Sequence, residues 1–336
     1  MHKEIIQLAH GGGGRLSRDL IRAEILPRFG DGPLRALADG ATLDGLKGPL
    51  VFTTDSYVVQ PLEFPGGNIG HLAVHGTVND LAVCGALPRW LSLSLIVEEG
   101  LPLATLRRVL DAVKDAAQTC GVDVVTGDTK VVGRGQCDGL YVNTAGIGEA
   151  LPGFTLTAAA IRPDDCVLVS GPLGDHGMAV LASRETIAVR NGPASDTAPV
   201  HRLVLAIRNL AQAVRFMRDP TRGGLAAVLN EIVENSSIGI VLKEADLPVT
   251  PATRAVAEML GIDILHAASE GRLVLICAPE AADVILARWH QLPEGSQARC
   301  VGRVTVASPH RVILKTVAGG HRLVDLPRGE LLPRIC

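Results

Sequence analysis

The sequence predicts a two-domain protein of the α+β (mixed α/β) class, ending in a flexible tail. Three observations carry that expectation. Both halves of the 336-residue chain mix strand-like apolar runs with helical periodicity, and several strand-like runs are neighbours rather than strict strand–helix repeats. The run Ala150-Leu151-Pro152-Gly153 breaks the pattern and sets a boundary. Apolar residues make up 47% of the chain and aromatics only 3%, so its cores are aliphatic. The length suffices to bury two of them. The domain plan is a glycine-rich segment and helix over 1–42, a first domain over 43–150, a second over 151–317, and a tail over 318–336.

The elements follow in order. A helix is predicted over 16–28, and Leu50-Val51-Phe52-Thr53-Thr54 reads as a buried strand that runs into Asp55. Ile69, Leu72, Val78 and Leu81 share helical spacing within 68–84. Strand 90–97, helix 102–119 with Pro102 in its first turn, and strands 122–126 and 139–147 complete the first half. The second half restarts with strand 166–170 and a glycine-rich turn over 171–177. Helices over 198–216, 222–235 and 251–260 follow, then strand 272–277, helix 280–290 and strands 299–306 and 311–316. Beyond 318 the glycines and prolines show no periodicity and read as an extended tail.

Composition excludes several classes. The net charge is −3 with no long block of one sign, which argues against a nucleic-acid or membrane-surface footprint. No apolar run reaches membrane-spanning length and no signal-peptide pattern opens the chain, so a cytoplasmic protein is expected. Seven widely spaced cysteines without a Cys-x-x-Cys pair fit a reducing compartment and exclude a zinc ribbon. One of them, Cys336, is the last residue, at the end of a segment long enough to reach about 45 Å when extended.

Four acidic clusters sit at predicted element ends: Thr53-Thr54-Asp55, Thr77-Val78-Asn79-Asp80, Thr126-Gly127-Asp128-Thr129-Lys130 and Arg218-Asp219-Pro220-Thr221-Arg222-Gly223-Gly224. Carboxylates gathered from separate loops hold hard cations against phosphate. Taken singly, each also reads as a cap or turn. Asp80 is the most pointed, because it interrupts a helical apolar pattern where Asp is a poor helix former. Lys130 and Glu270 are candidate proton-transfer groups, with solvated loop charges as the alternative. Gly11-Gly12-Gly13-Gly14 would let backbone amides approach an anion, although by composition alone it reads as a flexible linker. His10, His71, His75 and His176 lack a metal-ligand spacing and read as structural or ligand-lining.

The ordered series His10–Gly14, Thr54–Val58, Phe64–Gly70, Gly76–Asp80, Thr126–Val132, Asp219–Gly224, Glu270-Gly271 and Pro333-Arg334-Ile335-Cys336 resembles the HypE family of hydrogenase maturation factors. That family lies within the aminoimidazole ribonucleotide synthetase-like ATP enzymes. The resemblance runs the whole length, and the terminal tetrapeptide is its most specific part. It implies the two-domain fold of that superfamily and a homodimer that pairs strands of the first domain across a two-fold. It also implies a carbamoyltransferase partner, HypF, that loads Cys336. ATP-dependent dehydration to a thiocyanate and delivery of cyanide to a HypC–HypD complex follow.

The same resemblance implies Mg²⁺ held by Asp55, Asp80, Asp128 and Asp219, and ATP bound by those residues with Gly11, Gly12, Gly13, Gly14, Asn79, Lys130 and Arg222. Cys336, Glu270 and Lys130 would carry the chemistry, with Glu270 as base. Selenophosphate synthetases, which are related, carry a catalytic Cys or selenocysteine near the N-terminus; no Cys precedes Cys84 here. A sister kinase or ribonucleotide synthetase would be indifferent to losing Cys336. A non-enzymatic carrier would not turn over ATP.

Overall fold

The computed structural model describes residues 5–12, 14–38, 40–185, 191–326 and 335–336. Its first helical segment runs through α1 (Arg15–Leu20), a π-helical turn (Ile21–Ile25) and α2 (Leu26–Phe29). The first half then builds β1 (Leu50–Tyr57), the short pair β2 (Glu63–Phe64) and β3 (Gly67–Asn68), α3 (Ile69–Val83), β4 (Ala86–Glu98), α4 (Leu103–Cys120), β5 (Asp123–Val132) and β6 (Leu140–Ala150). Four of these strands form a sheet in the order β1-β6-β4-β5. The second half contains β7 (Cys166–Val169), α5 (Asp175–Arg184), α6 (His201–Ala206), β8 (Val214–Arg218), α7 (Gly224–Glu234), β9 (Gly239–Lys243) and α8 (Pro251–Leu260). It closes with β10 (Val274–Cys277), α9 (Pro279–Trp289), β11 (Arg299–Thr305), β12 (Val312–Lys315) and β13 (His321–Leu323). Its sheet runs β13-β12-β9-β11-β7-β10-β8, with β12 and β9 the parallel pair.

Helix α3 explains how the halves meet. Every one of its residues except His71 and Asp80 is buried, as expected of a helix apolar on all sides. It starts at Asn68, whose side-chain oxygen accepts the Gly70 and His71 N–H groups. One side packs on β1, β6 and α4, and another meets α6 and β8 of the second half. Asn79 is the polar rivet in this contact. Its amide donates to the carbonyls of Ala198 (3.0 Å) and Glu270 (3.1 Å), and its oxygen accepts the Val200 N–H at 2.8 Å.

The amide of Asn79 is therefore spent on the backbone, which corrects the expectation that it contacts nucleotide. Asn79→Ala would leave three buried backbone groups without partners, each costing about 1–3 kcal/mol. We expect a loss of at least about 3 kcal/mol in denaturant unfolding; a loss below about 1 kcal/mol would show that water replaces the amide.

Four expectations change on inspection. Asp55 lies inside β1 rather than beyond its end, and Asp128 and Lys130 lie inside β5 rather than in a turn. The predicted helix over 198–216 is α6, a 3-10 stretch and then β8, because β10 offers Val214–Arg218 a ladder partner. The tail does not begin at 318. Residues 321–323 form edge strand β13, and Val324 is buried with its N–H donated to the Val312 carbonyl at 2.8 Å.

Candidate active site

Three carboxylates expected to act together converge where α3 meets both halves. Asp80 emerges at one of the two unburied positions of α3 and accepts the Thr53 hydroxyl at 3.0 Å. Burial raises its pKa, the Thr53 bond opposes this, and Asp55 on the same strand as Thr53 adds to it. Asp219 follows β8, and burial together with the Asp80 charge pushes it up to about 7. The turn after it requires glycine. Gly223 and Gly224 have φ of 78° and 60°, and a Cβ on Gly224 would lie 2.6 Å from the carbonyls of Leu265 and Ala267.

Glu270 completes the group from the second half. It is 2% exposed, its Oε1 has no hydrogen-bond partner, and its pKa lies well above the usual carboxylate range. Burial is the main cause, followed by the charges of Asp219, Asp196 and Asp55, with Arg222 opposing. A strap over residues 195–198 holds its backbone, since Asp196 accepts the Glu270 N–H at 3.1 Å and pairs with Arg272 at 3.2 Å. Gly271 has no room for a side chain because the strap passes directly over it.

The chain end enters this site. Ile335 is buried, and a carboxylate oxygen of Cys336 accepts the Val58 N–H at 3.2 Å. The Cys336 thiol lies beside Glu270. Its pKa is raised chiefly by burial and then by the Glu270 charge, with Arg222 as the opposing cation. Tyr57 was missed. It is buried under the same carboxylates, with its hydroxyl 3.4 Å from that of Thr77. It lies inside the Thr54–Val58 motif, two residues after Asp55, but no role was read for it.

Asp128 and Lys130 stand elsewhere. The register runs Asp55–Thr144–Leu93–Gly127 across the sheet, so β1 and β5 are opposite edges, about 14 Å apart at the usual strand spacing. Within one chain, Asp128 therefore cannot share an ion with Asp55, and Lys130 is not beside Glu270. Among the described residues no three His, Cys, Asp or Glu side chains are grouped to hold a metal. Asp128 and Lys130 pair with each other at 2.9 Å and line a cavity of about 240 Å³ with Gly11 and the N-terminal helical segment. Gly11 closes a 3-10 turn and packs against Val131, and Gly14 caps α1, so these two glycines are ordered structure rather than linker. Gly12 ends the 3-10 turn, and Gly13 lies outside the described residues.

Comparison with known proteins agrees with this architecture. The N-terminal domain of AIR synthase related proteins matches residues 38–150, and the C-terminal domain matches 162–315. Carbamoyl dehydratase HypE of Rhizobium leguminosarum bv. viciae is 47% identical over 332 residues, covering 98% of this chain and 95% of that protein. A crystal structure of hydrogenase maturation protein HypE in complex with ATP superposes with a TM-score of 0.93 at 43% identity, covering 98% and 99% of the two chains. The crystal structure of a HypE–HypF complex matches with a TM-score of 0.81 at 39% identity, covering 94% and 100%. The aliphatic two-domain fold, the buried acidic site and these full-length similarities lead to one conclusion: the chain belongs to the HypE family of carbamoyl dehydratases, enzymes of hydrogenase maturation.

Proposed function

We propose that the chain dehydrates a carbamoyl group carried on its own Cys336, using ATP, and so makes the thiocyanate that supplies cyanide to a [NiFe]-hydrogenase. The observation that carries this reading is the docked chain end, with the Cys336 thiol against Glu270, whose Oε1 has no hydrogen-bond partner. A thiocarboxamide there would place its oxygen and nitrogen among groups suited to the reaction. The amide oxygen attacks the γ-phosphorus of ATP and ADP leaves, turning a poor leaving group into phosphate. Glu270 removes a nitrogen proton as the carbon–nitrogen multiple bond forms. The carbon–oxygen bond then breaks, and the second nitrogen proton departs with the phosphate. Enclosure of the site keeps water from the phosphorylated intermediate.

The carboxylates fit a divalent cation. Asp55, Asp80, Asp219 and Glu270 lie within electrostatic reach of one another, Arg218 and Arg222 oppose them among the described residues, and burial holds Asp80 and Asp219 above their ordinary range. They are not grouped closely enough to form a site by themselves, so Asp55, Asp80 and Asp219 would hold Mg²⁺ jointly with the phosphates of ATP, the ion supplying charge compensation. Asp80→Ala is expected to weaken Mg-ATP binding about tenfold or more. Unchanged affinity by calorimetry would remove Asp80 from the nucleotide site.

The open face of the first sheet supports the homodimer we propose. Leu50 is 57% exposed and Phe52 62%, with Ile96 on the same face at 41%. A two-fold that pairs edge strands would carry Asp128 and Lys130 toward the Asp55 edge of the second protomer, which reunites the acidic set across the interface. Phe52→Glu is expected to yield monomer in light scattering; an unchanged dimer mass would place the interface elsewhere.

HypF is the proposed carbamoyl donor and a HypC–HypD complex the proposed acceptor, all in the cytoplasm. Among the described residues no helix is long and apolar enough to cross a membrane. Intact-protein mass spectrometry tests the chemistry. Incubation with HypF, carbamoyl phosphate and ATP should add a carbamoyl mass that then falls by one water. A carbamoyl adduct that persists despite ATP turnover would overturn the reading.

A further inference from the structure

We infer that His176, held in one tautomer by Ser195, is the positioning residue that docks the chain end and sets the register of Cys336 against Glu270. The inference rests on Cys336 as the bearer of the reacting group. His176 is fully buried near the start of α5, and its two nitrogens have different partners. Nε2 meets the Ile335 carbonyl, and Nδ1 lies 2.8 Å from the Ser195 hydroxyl. A carbonyl only accepts, so Nε2 must carry the proton and Nδ1 must accept. Ser195 is arranged for that assignment. Its oxygen already accepts the Thr197 N–H at 3.2 Å, leaving its own hydrogen for Nδ1. The donors thus run in one direction, from Thr197 through Ser195 and His176 to the tail. Burial lowers the His176 pKa to about 4, so the ring is neutral at physiological pH, and Phe64 packs its ring edge-on at 5.3 Å.

Register is what this dock controls. The His176 and Val58 contacts both grip main-chain oxygens, the Ile335 carbonyl and the Cys336 carboxylate, while the Ile335 side chain is sealed at 3% exposure. A slip of one residue would shift the thiol by about 3.8 Å, beyond contact with Glu270. The strap links the two functions directly. Ser195 fixes the ring that grips the tail, and its neighbour Asp196 accepts the N–H of the base. Both residues lie outside the ATP-facing carboxylates.

Alkylation of the unmodified protein by iodoacetamide, read residue by residue by mass, tests the dock without ATP or a partner. Exposed Cys84 serves as the internal reference. His176→Ala should raise the Cys336 rate about tenfold relative to Cys84, the equivalent of one lost buried hydrogen bond. His176→Gln, whose amide can still donate to the Ile335 carbonyl, should restore most of the protection. Ser195→Ala should give a smaller rise and a mixed-tautomer ¹⁵N pattern for His176, a signature that a packing role would not produce. It also serves if His176→Ala fails to fold. Equal Cys336 rates in wild type and Ser195→Ala, or no restoration by His176→Gln, would overturn the inference. A dock that behaves as expected in a protein that never forms thiocyanate would refute the chemistry and leave the dock standing.

Discussion

Glu270→Gln is expected to keep ATP affinity and lose thiocyanate formation by about 10²- to 10⁴-fold, the usual contribution of a general base. The substitution preserves shape and removes only the ability to take a proton. Glu270 suits the role because its surroundings tune it. Burial and the charges of Asp219, Asp196 and Asp55 all hold its pKa above the ordinary carboxylate value, which strengthens it as a base. The base must be ionised to act, so the wild-type rate should rise with pH through that raised pKa and then level. The Gln variant should lack this limb. Its fold should survive, because the strap contact uses the Glu270 main chain, as does the Asn79 amide. Near-normal thiocyanate yield in single-turnover mass measurements, or a pH limb that persists in the variant, would return Glu270 to a packing role.

How much of this site the sequence revealed depends on whether side chains or main chain do the work. Asp80 was legible because a carboxylate inside an apolar helical pattern violates that pattern, and it occupies one of only two unburied positions on α3. Asn79 beside it had the same local signal and the opposite use, since its partners at 198, 200 and 270 are remote in sequence. Asp128 and Lys130 read as a turn because Gly127 and Asp128 are poor strand formers. The β4 ladder overrides that preference and places them on the far edge from Asp55. The tail dock was invisible for a different reason. The Val58 N–H, the Ile335 carbonyl and the Cys336 carboxylate are main-chain groups that every chain possesses. His176 fell within a glycine-rich segment read as a turn, and the strap at 195–198 has no distinguishing composition.

Cys336→Ala should fold, dimerise and bind ATP, yet never acquire the carbamoyl or cyano mass. Removing a half-buried sulfur leaves the Ile335 packing and both main-chain contacts in place, so the tail should still dock. What disappears is the atom proposed to bear the group. The environment of that atom also orders the events. Docked, the thiol is kept protonated by burial and by the Glu270 charge, which makes it a poor nucleophile. Carbamoyl loading is therefore expected with the chain end withdrawn and presented to HypF, and dehydration only after it returns. Adding a few residues beyond Cys336 should then permit loading and block dehydration, because the extra chain must pass through an enclosed site. Peptide mapping after the coupled reaction separates the possibilities. An adduct on Cys84 or another cysteine in Cys336→Ala would refute the assignment, and efficient thiocyanate formation in the extended chain would refute the requirement for a docked end.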